Sequence, residues 1–526
     1  MDTSVTRREL IGHAARGSIA VAGAGSLLSA CGSGSGSTPA TTTTNVKARR
    51  GGTLTVGLTG GSSSDTLDPN KLTTNPDFGR TAALYDGMVW AQADGQPALR
   101  VAEEMSPLNK DASRWAIRLR KGVRFHDGRE ATADDLIYST KRCLKPTPGV
   151  SASVLTGLRL NELRKLDKHT VELTFDHPYT TFVAAIGGTS NIYLLPEDFD
   201  PKHPIGTGPF KFESFTPGQR SVFTRWDEYW NQFEPYVDQL VLLDYSDETS
   251  QINALLSGQV DAVNQLSADV LATVTGGGKK VLISPGGGYN PFTMRVDQAP
   301  FTDVRVRRAF QLMVNRPKML EVVFAGHGVI GNDIFGIWDP EYDHSLPQRV
   351  QDIEQAKHLL KAAGHENMTI ELVTGDVAQG VIQMAQLFVQ HAAQAGVTVH
   401  LNQITPTEYF GPNYLKWTFA QDFWYAAPYL AQVPLSSLPN SPYNETHFNN
   451  PRFNKLFAEA NATTDKTKQT EIVHAMQTIQ YDEGGFILPF FAPVIDGFSP
   501  QVQGMVPSKT GSSFNMWSFQ QLSLSA

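Results

Sequence analysis

Cysteine is nearly absent: Cys31 and Cys143 are the only two in 526 residues. Neither a disulfide framework nor a cysteine-rich metal site can be built from them. Apolar runs of membrane-spanning length are missing as well, the longest candidate being the mildly apolar stretch 18–30. Basic charge is in deficit, with 44 Lys and Arg against 52 Asp and Glu and a formal net charge of −8. No extended basic run lies beyond the first residues, which argues against nucleic acid as a partner. Catalytic motifs are also lacking. There is no HExxH, no CxxC, no GxSxG elbow and no GxxxxGK[ST] loop. Lys509-Thr510-Gly511 matches one element of penicillin-recognising enzymes, but the Ser-x-x-Lys that would supply the nucleophile occurs nowhere. The sequence therefore points to no enzyme, no resident metal and no cofactor.

What is present begins at the N-terminus. A polar, basic stretch (MDTSVTRRELIGHAARG) precedes the apolar residues 18–30, and Cys31 follows at once. Thirteen apolar residues are too few to span a bilayer, so residues 1–30 read as a cleaved signal peptide. Leu28-Ser29-Ala30-Cys31 resembles the bacterial lipobox, which predicts lipidation of Cys31 as the first mature residue. Arg7-Arg8 with Leu10 and Ile11 resembles a twin-arginine export signal. Residues 31–50, rich in Gly, Ser and Thr, cannot bury a core and read as a flexible tether with a reach of roughly 20 Å. Cys143 is then expected to be a small buried residue.

The body shows α/β patterning. Leu54, Val56 and Leu58 alternate into a Gly-rich turn, as in a strand. Trp115, Ile117 and Leu119 alternate with Arg118 and Arg120, followed by a Lys121-Gly122 turn, a short strand 123–125 and an Asp127-Gly128 turn. His126 beside Asp127 invites a catalytic or metal reading. No further ligands converge in sequence, so both are expected to serve the turn. Thr132 with Asp134 and Asp135 starts a helix. A strand at 240–243, a helix ending at Gly258 and a strand entering at Val260 form one β-α-β unit. A helix closed by Gly364, a strand at 368–374, a helix at 381–395 and a strand at 397–401 extend the pattern, implying α/β domains with parallel strands.

Five stretches in this order, DTLDP (65–69), LRKGVRFHDGREATADDLIYS (119–139), GTGPF (206–210), LLSGQVDAV (255–263) and FTDVRVRRAF (301–310), resemble the family 5, dipeptide/oligopeptide-binding, solute-binding proteins of bacterial ABC importers. The resemblance implies a two-lobed, periplasmic-binding-protein-like α/β fold with a hinge and an extra domain inserted in lobe I. Its expected divisions are lobe I over 51–86, the inserted domain over 87–205, lobe I again over 206–285, lobe II over 286–490 and a C-terminal return to lobe I over 491–526. It implies a monomer, lipid-anchored on the outer face of the cytoplasmic membrane, delivering a peptide or similar solute to an ABC permease and ATPase. A non-peptide solute, or a sensing or chaperone role, is the alternative. The Asp127-Gly128 and 206–209 motifs are expected to set turns, and Arg305, Arg307 and Arg308 to carry solvated charge at a helix start.

Ligand contacts are expected where the lobes meet. Peptide-binding members carry an acid shortly after a tryptophan, which holds the ligand's ammonium group. The matching stretch here is 422–429, where the acid's place falls on Ala427, and Asp422 is the candidate substitute. Phe423, Trp424, Tyr425 and Tyr429 suggest a stacking wall, with one or two of them in the core. Tyr289 and Asn290 would face that wall. Gly60, Gly61 and Ser62 would offer backbone donors from lobe I.

Overall fold

The computed structural model describes residues 49–145, 151–187 and 191–525. Cys31, Arg7, Arg8 and the tether up to residue 48 lie outside the described residues. Leu54, Val56 and Leu58, each fully buried, build the central strand Thr53–Thr59. It pairs in parallel with Gln239–Tyr245 on one side and Ala262–Val263 on the other. These belong to a seven-stranded sheet in the order Lys280–Ser284, Val494–Phe498, Ala262–Val263, Thr53–Thr59, Gln239–Tyr245, Arg220–Arg225, Phe210–Thr216. A five-stranded sheet follows the order Thr398–Ile404, Thr369–Gly375, Phe419–Gln421, Phe292–Met294, Phe486–Ile487. A four-stranded sheet (Ala102–Pro107, Arg114–Leu119, Thr170–Thr174, Arg164–Lys165) has its own core, which includes Trp115, Ile117, Leu136 and Phe182. Val502, Phe514, Trp517, Phe519 and Leu522 of the C-terminal tail share the core of the seven-stranded sheet with Leu54 and Leu240.

Local signals set many helix ends. The helix Ala133–Leu144 starts at Thr132, which forms a capping box with Asp135. Glu248–Ser257 closes on Gly258 at φ 78°, the left-handed position that glycine adopts without a Cβ penalty. Residues 123–125 depart from the expected short strand, since only the single bridge Arg124–Glu130 forms there.

The family-like motifs turn out to be long-range clamps. Asp65 binds the buried Arg80, and Asp68 binds Arg142 through two oxygens at 2.8 and 2.9 Å. His126 accepts from Gly206 N–H at Nδ1 (3.3 Å) and donates from Nε2 to Gly208 O (3.0 Å). Burial lowers its pKa to about 4, so it is a neutral structural clasp. Gly206 and Gly208 are needed less for a turn than for close approach: a Cβ on Gly208 would stand 2.6 Å from Tyr85 N. Arg307 overturns the expectation of solvated charge. It is buried and donates to the carbonyls of Phe301, Thr302 and Glu483, whereas Arg305 and Arg308 remain on the surface, paired with Asp303 and Asp482. Cys143 is buried and its thiol is pushed up to about 12 by desolvation.

Candidate ligand-binding cleft

Strand directions put the chain crossings between the two large sheets at one edge of each. In the seven-stranded sheet, the C-terminal ends of Thr53–Thr59, Gln239–Tyr245 and Ala262–Val263 lie on one edge. Val494–Phe498 runs antiparallel to Ala262–Val263 and to Lys280–Ser284, so the chain leaves and re-enters at that same edge. In the five-stranded sheet, the ends of Thr369–Gly375 and Phe419–Gln421 lie beside the start of Phe292–Met294. The two crossings, 285–291 and 488–493, are bonded to each other through Ala492 N–H and Gly288 O (2.8 Å). Gly286, at φ 69°, has no room for a Cβ against Ala492 O. Ends of parallel strands at such a crossover are where open α/β sheets bind ligands.

On the first edge, Gly60 and Gly61 have φ of 102° and 100°. A Cβ at Gly61 would meet Asp244 at 2.8 Å, so glycine is required by both conformation and space. Two of the three expected backbone donors are spent internally: Gly60 N–H on Tyr245 O and Ser62 N–H on Asp65 Oδ1. Asp65, Asp77 and Asp244 surround Arg80 just behind this loop, and burial pushes Asp244 up to about 6. Asn264 and Gln265, which the sequence reading missed, complete the edge. Asn264 Oδ1 accepts from Thr59 N–H (2.9 Å), and Gln265 Oε1 accepts from Asn75 (2.7 Å).

On the second edge the expected residues divide. Trp424 and Tyr289 exchange backbone hydrogen bonds of 2.8 and 2.9 Å, but their side chains part company. Tyr289 does not line a wall; it is buried and stacked on Phe335 at 6.1 Å, and its hydroxyl finds no partner. Asn290 is likewise turned inward, its amide donating to Gln379 O (2.9 Å). Tyr429 is core, donating to Gln480 Oε1. Phe423 and Trp424 are half-buried, whereas Tyr425 is 58 % exposed. Phe423 packs edge-on against both Tyr425 (5.8 Å) and Phe410 (6.3 Å), and Trp424 against Tyr443 (6.1 Å). Phe410 and Tyr443 are each 47 % exposed. The rim is therefore aromatic, with Phe410 and Tyr443 joining Phe423, Trp424 and Tyr425, while Tyr429 is the member of the expected wall that belongs to the core.

Asp422 is buried rather than open to the cleft. It accepts from Tyr414 O–H (2.8 Å) and from Phe423 N–H (2.8 Å). It faces a second carboxyl, Glu445, which receives Trp424 Nε1–H at 2.8 Å. Burial raises Asp422 to about 6 and Glu445 well above the usual carboxylate range, so the pair shares a proton. Glu445 lies 23 residues from Asp422 in the chain and carried no sequence mark. Near Ala427, Asp339 accepts from Tyr429 N–H, and burial pushes it up to about 7. Among the described residues, no cluster of His, Cys, Asp and Glu is arranged to hold a metal ion, and no helix is long and apolar enough to cross a membrane.

Comparisons with known proteins agree with this architecture. Residues 96–444 match the profile of the bacterial extracellular solute-binding proteins, family 5 (middle). The chain is 27% identical over 470 residues to heme-binding protein A of Haemophilus influenzae, covering 80% of this chain and 83% of that protein. It is 26% identical over 476 residues to the periplasmic oligopeptide-binding protein OppA of Escherichia coli, covering 82% and 86%. The structure of DppA of Helicobacter pylori in complex with the peptide STSA superimposes with a TM-score of 0.75 at 21% identity, covering 90% and 98%.

Proposed function

Since this chain belongs to the bacterial extracellular solute-binding proteins of family 5, we propose that it captures a peptide or similar small solute between its two sheet edges and passes it to an ABC permease. The observation that carries this reading is the aromatic rim of Phe410, Phe423, Trp424, Tyr425 and Tyr443, set on an edge that is joined to the facing edge by two chain crossings. Large exposed rings gathered at one place mark a binding surface. The relatives are named for heme binding and for oligopeptide binding, and the role proposed here is capture without turnover. A non-peptide solute, such as an oligosaccharide or an opine-like compound, is the second reading, favoured by Ala427 standing where peptide-binding members have an acid.

Placement outside the cell follows from the N-terminal signals. Lipidation at Cys31 and the tether over 31–50 would hold the body at the outer face of the membrane, and Arg7-Arg8 would direct export. Cys31→Ser should move the mature protein from the detergent phase to the aqueous phase. For the ligand, calorimetry of di- and tripeptides, hemin and oligosaccharides against the mature chain is the test. Peptide binding with an unfolding temperature that climbs with peptide concentration supports the reading. Saccharide binding alone would transfer the assignment to the second reading, and chemical consumption of the bound solute would make the protein an enzyme.

A further inference from the structure

We propose that the tail segment 504–511 is a strap over the first chain crossing, and that Lys509, resting on Trp338, limits how far the two large sheets swing apart. The proposal goes beyond the capture reading, since no residue of the strap is assigned to the solute. Gly286, Gly287 and Gly288 follow one another in the crossing, and a run of glycines has the greatest backbone freedom a chain can have. Left open on all sides, they would make a loose joint. Here each is confined. Gly286 O accepts from Trp338 Nε1–H, and a Cβ on Gly511 would stand 3.0 Å from Gly286 Cα. A Cβ on Gly287 would meet Ala426 Cβ at 2.9 Å, Trp338 Cδ1 at 3.1 Å and Lys509 O at 3.2 Å. One on Gly288 would meet Trp424 O at 3.0 Å. The joint is held between the tail on one side and residues 338 and 424–426 on the other.

The strap is rigidly rooted. Phe514, Asn515, Met516 and Trp517 have φ of 51°, 53°, 64° and 62°, a left-handed turn that is unfavourable for every residue but glycine. Such strain persists only where the surroundings fix it, and it gathers at sites of function. Asp496 accepts from Phe514 N–H (3.0 Å), while Asn515 donates to Gly504 O (2.6 Å) and accepts from Val506 N–H (2.8 Å). Phe514 and Trp517 are buried in the core of the seven-stranded sheet. Beyond that root, Ser508 is fully buried and its N–H donates to Ser284 Oγ (3.0 Å), and Lys509 N–H donates to Ala93 O (2.8 Å). The backbone of Lys509 is thus fixed to one body. Its ammonium group lies 5.3 Å from the centre of the Trp338 ring and, among the described residues, has no carboxylate as an ion-pair partner. An indole is the best ring partner for a cation. Trp338 therefore gives its N–H to the crossing and its ring to the tail, and both contacts must yield before the body that carries it can rotate away. A joint of smaller range leaves less freedom to lose when a solute is enclosed, so affinity gains without a solute contact.

The test measures the joint without solute, by pulsed electron spin resonance between labels on Thr249→Cys and Asp376→Cys in the mature chain carrying Cys31→Ser. Thr249 lies at the start of the helix Glu248–Ser257 and Asp376 just after the strand Thr369–Gly375, and both are exposed. Cys143 is buried with its thiol pushed up to about 12, so the labels go to the introduced cysteines. Lys509→Met keeps the stem and removes the charge. It should spread the distances to longer values, lowering the ratio of wild-type to longer distances about two- to fivefold, the effect of an exposed cation–π contact. Lys509→Arg should restore the wild-type distribution, and Trp338→Phe, which also loses the N–H to Gly286, should spread it further. Distances left in place by Lys509→Met and Trp338→Phe overturn the proposal, as does a loss of thermal stability in Lys509→Met at unchanged distance, which would make the strap structural only. If peptides bind and Lys509→Met leaves the distances in place, the strap proposal falls and the capture reading stands. If the variants move the distances yet no peptide, hemin or oligosaccharide binds, the strap stands and the capture reading falls.

Discussion

At the residue scale, His126 shows how a suggestive side chain resolves into structure. Its neighbour Asp127 pairs with Arg129 on the surface, while the ring joins two glycines about 80 positions away. The fold holds it neutral, with a pKa of about 4 against the ordinary 6.5. The unfolded chain therefore binds more protons between those values, and stability rises with pH across that window. The contribution, on the order of 3 kcal/mol, is complete above pH 6.5 and is lost as pH falls towards 4. Urea denaturation of wild type and His126→Asn at pH 4.5 and 7.5 should show a stability gap that narrows at the lower pH; a constant gap would mean that the ring does not titrate in this way. Trp424 is the second residue-scale case, because its ring is on the rim and its Nε1–H is on Glu445. Trp424→Ala should weaken the solute identified by calorimetry by about 1–3 kcal/mol. Unchanged affinity would remove Trp424 from the cleft's contacts.

At the element scale, legibility follows the range of the signal. Helix caps at Thr132 and Gly258 and the strand alternation of Leu54, Val56 and Leu58 are local, so they were readable in the sequence. The inward turn of Tyr289 and Asn290 depends on Phe335 and Gln379, tens of residues away, and no local pattern encodes it. Glu445 meets Asp422 only because two loops converge, and Arg307 is buried because the carbonyl of Glu483 comes to meet it. The glycines separate into two kinds for the same reason. Gly258 needs its left-handed φ but has open space around it, whereas Gly208 lies against the backbone at Ala83 to Tyr85. Gly258→Ala should cost about 1 kcal/mol, a conformational penalty alone. Gly208→Ala must displace backbone and should cost about 3 kcal/mol or more. Equal shifts in urea midpoint for the two variants would refute the close-approach account of the GTGPF motif.

At the scale of the whole molecule, the four-stranded unit also touches the far side of the cleft. Thr180 N–H donates to Asn461 O (3.1 Å), Thr181 Oγ1–H to Asn461 Oδ1 (3.0 Å), and Gln469 reaches Thr180 Oγ1 (3.1 Å). Ala431, on the same side as Asn461, packs against the core of that unit. These contacts tie that unit to the side of the five-stranded sheet in addition to the crossings at 285–291 and 488–493, and they would be lost in any arrangement that moves the two apart. A solute held between the edges gains from every bond that exists only when the cleft is shut. Thr181→Val deletes one such bond at a half-buried site and keeps the side-chain shape. A net hydrogen bond contributes about 0.5–1.5 kcal/mol, so the solute's Kd should rise roughly two- to tenfold, chiefly through faster release. The unfolding temperature of the solute-free protein should stay nearly constant, since an open molecule does not make the bond. Stopped-flow release and calorimetry read the first effect, and thermal unfolding reads the second. A fall in solute-free stability with unchanged Kd would mean that the contact persists in every state and that closure occurs elsewhere.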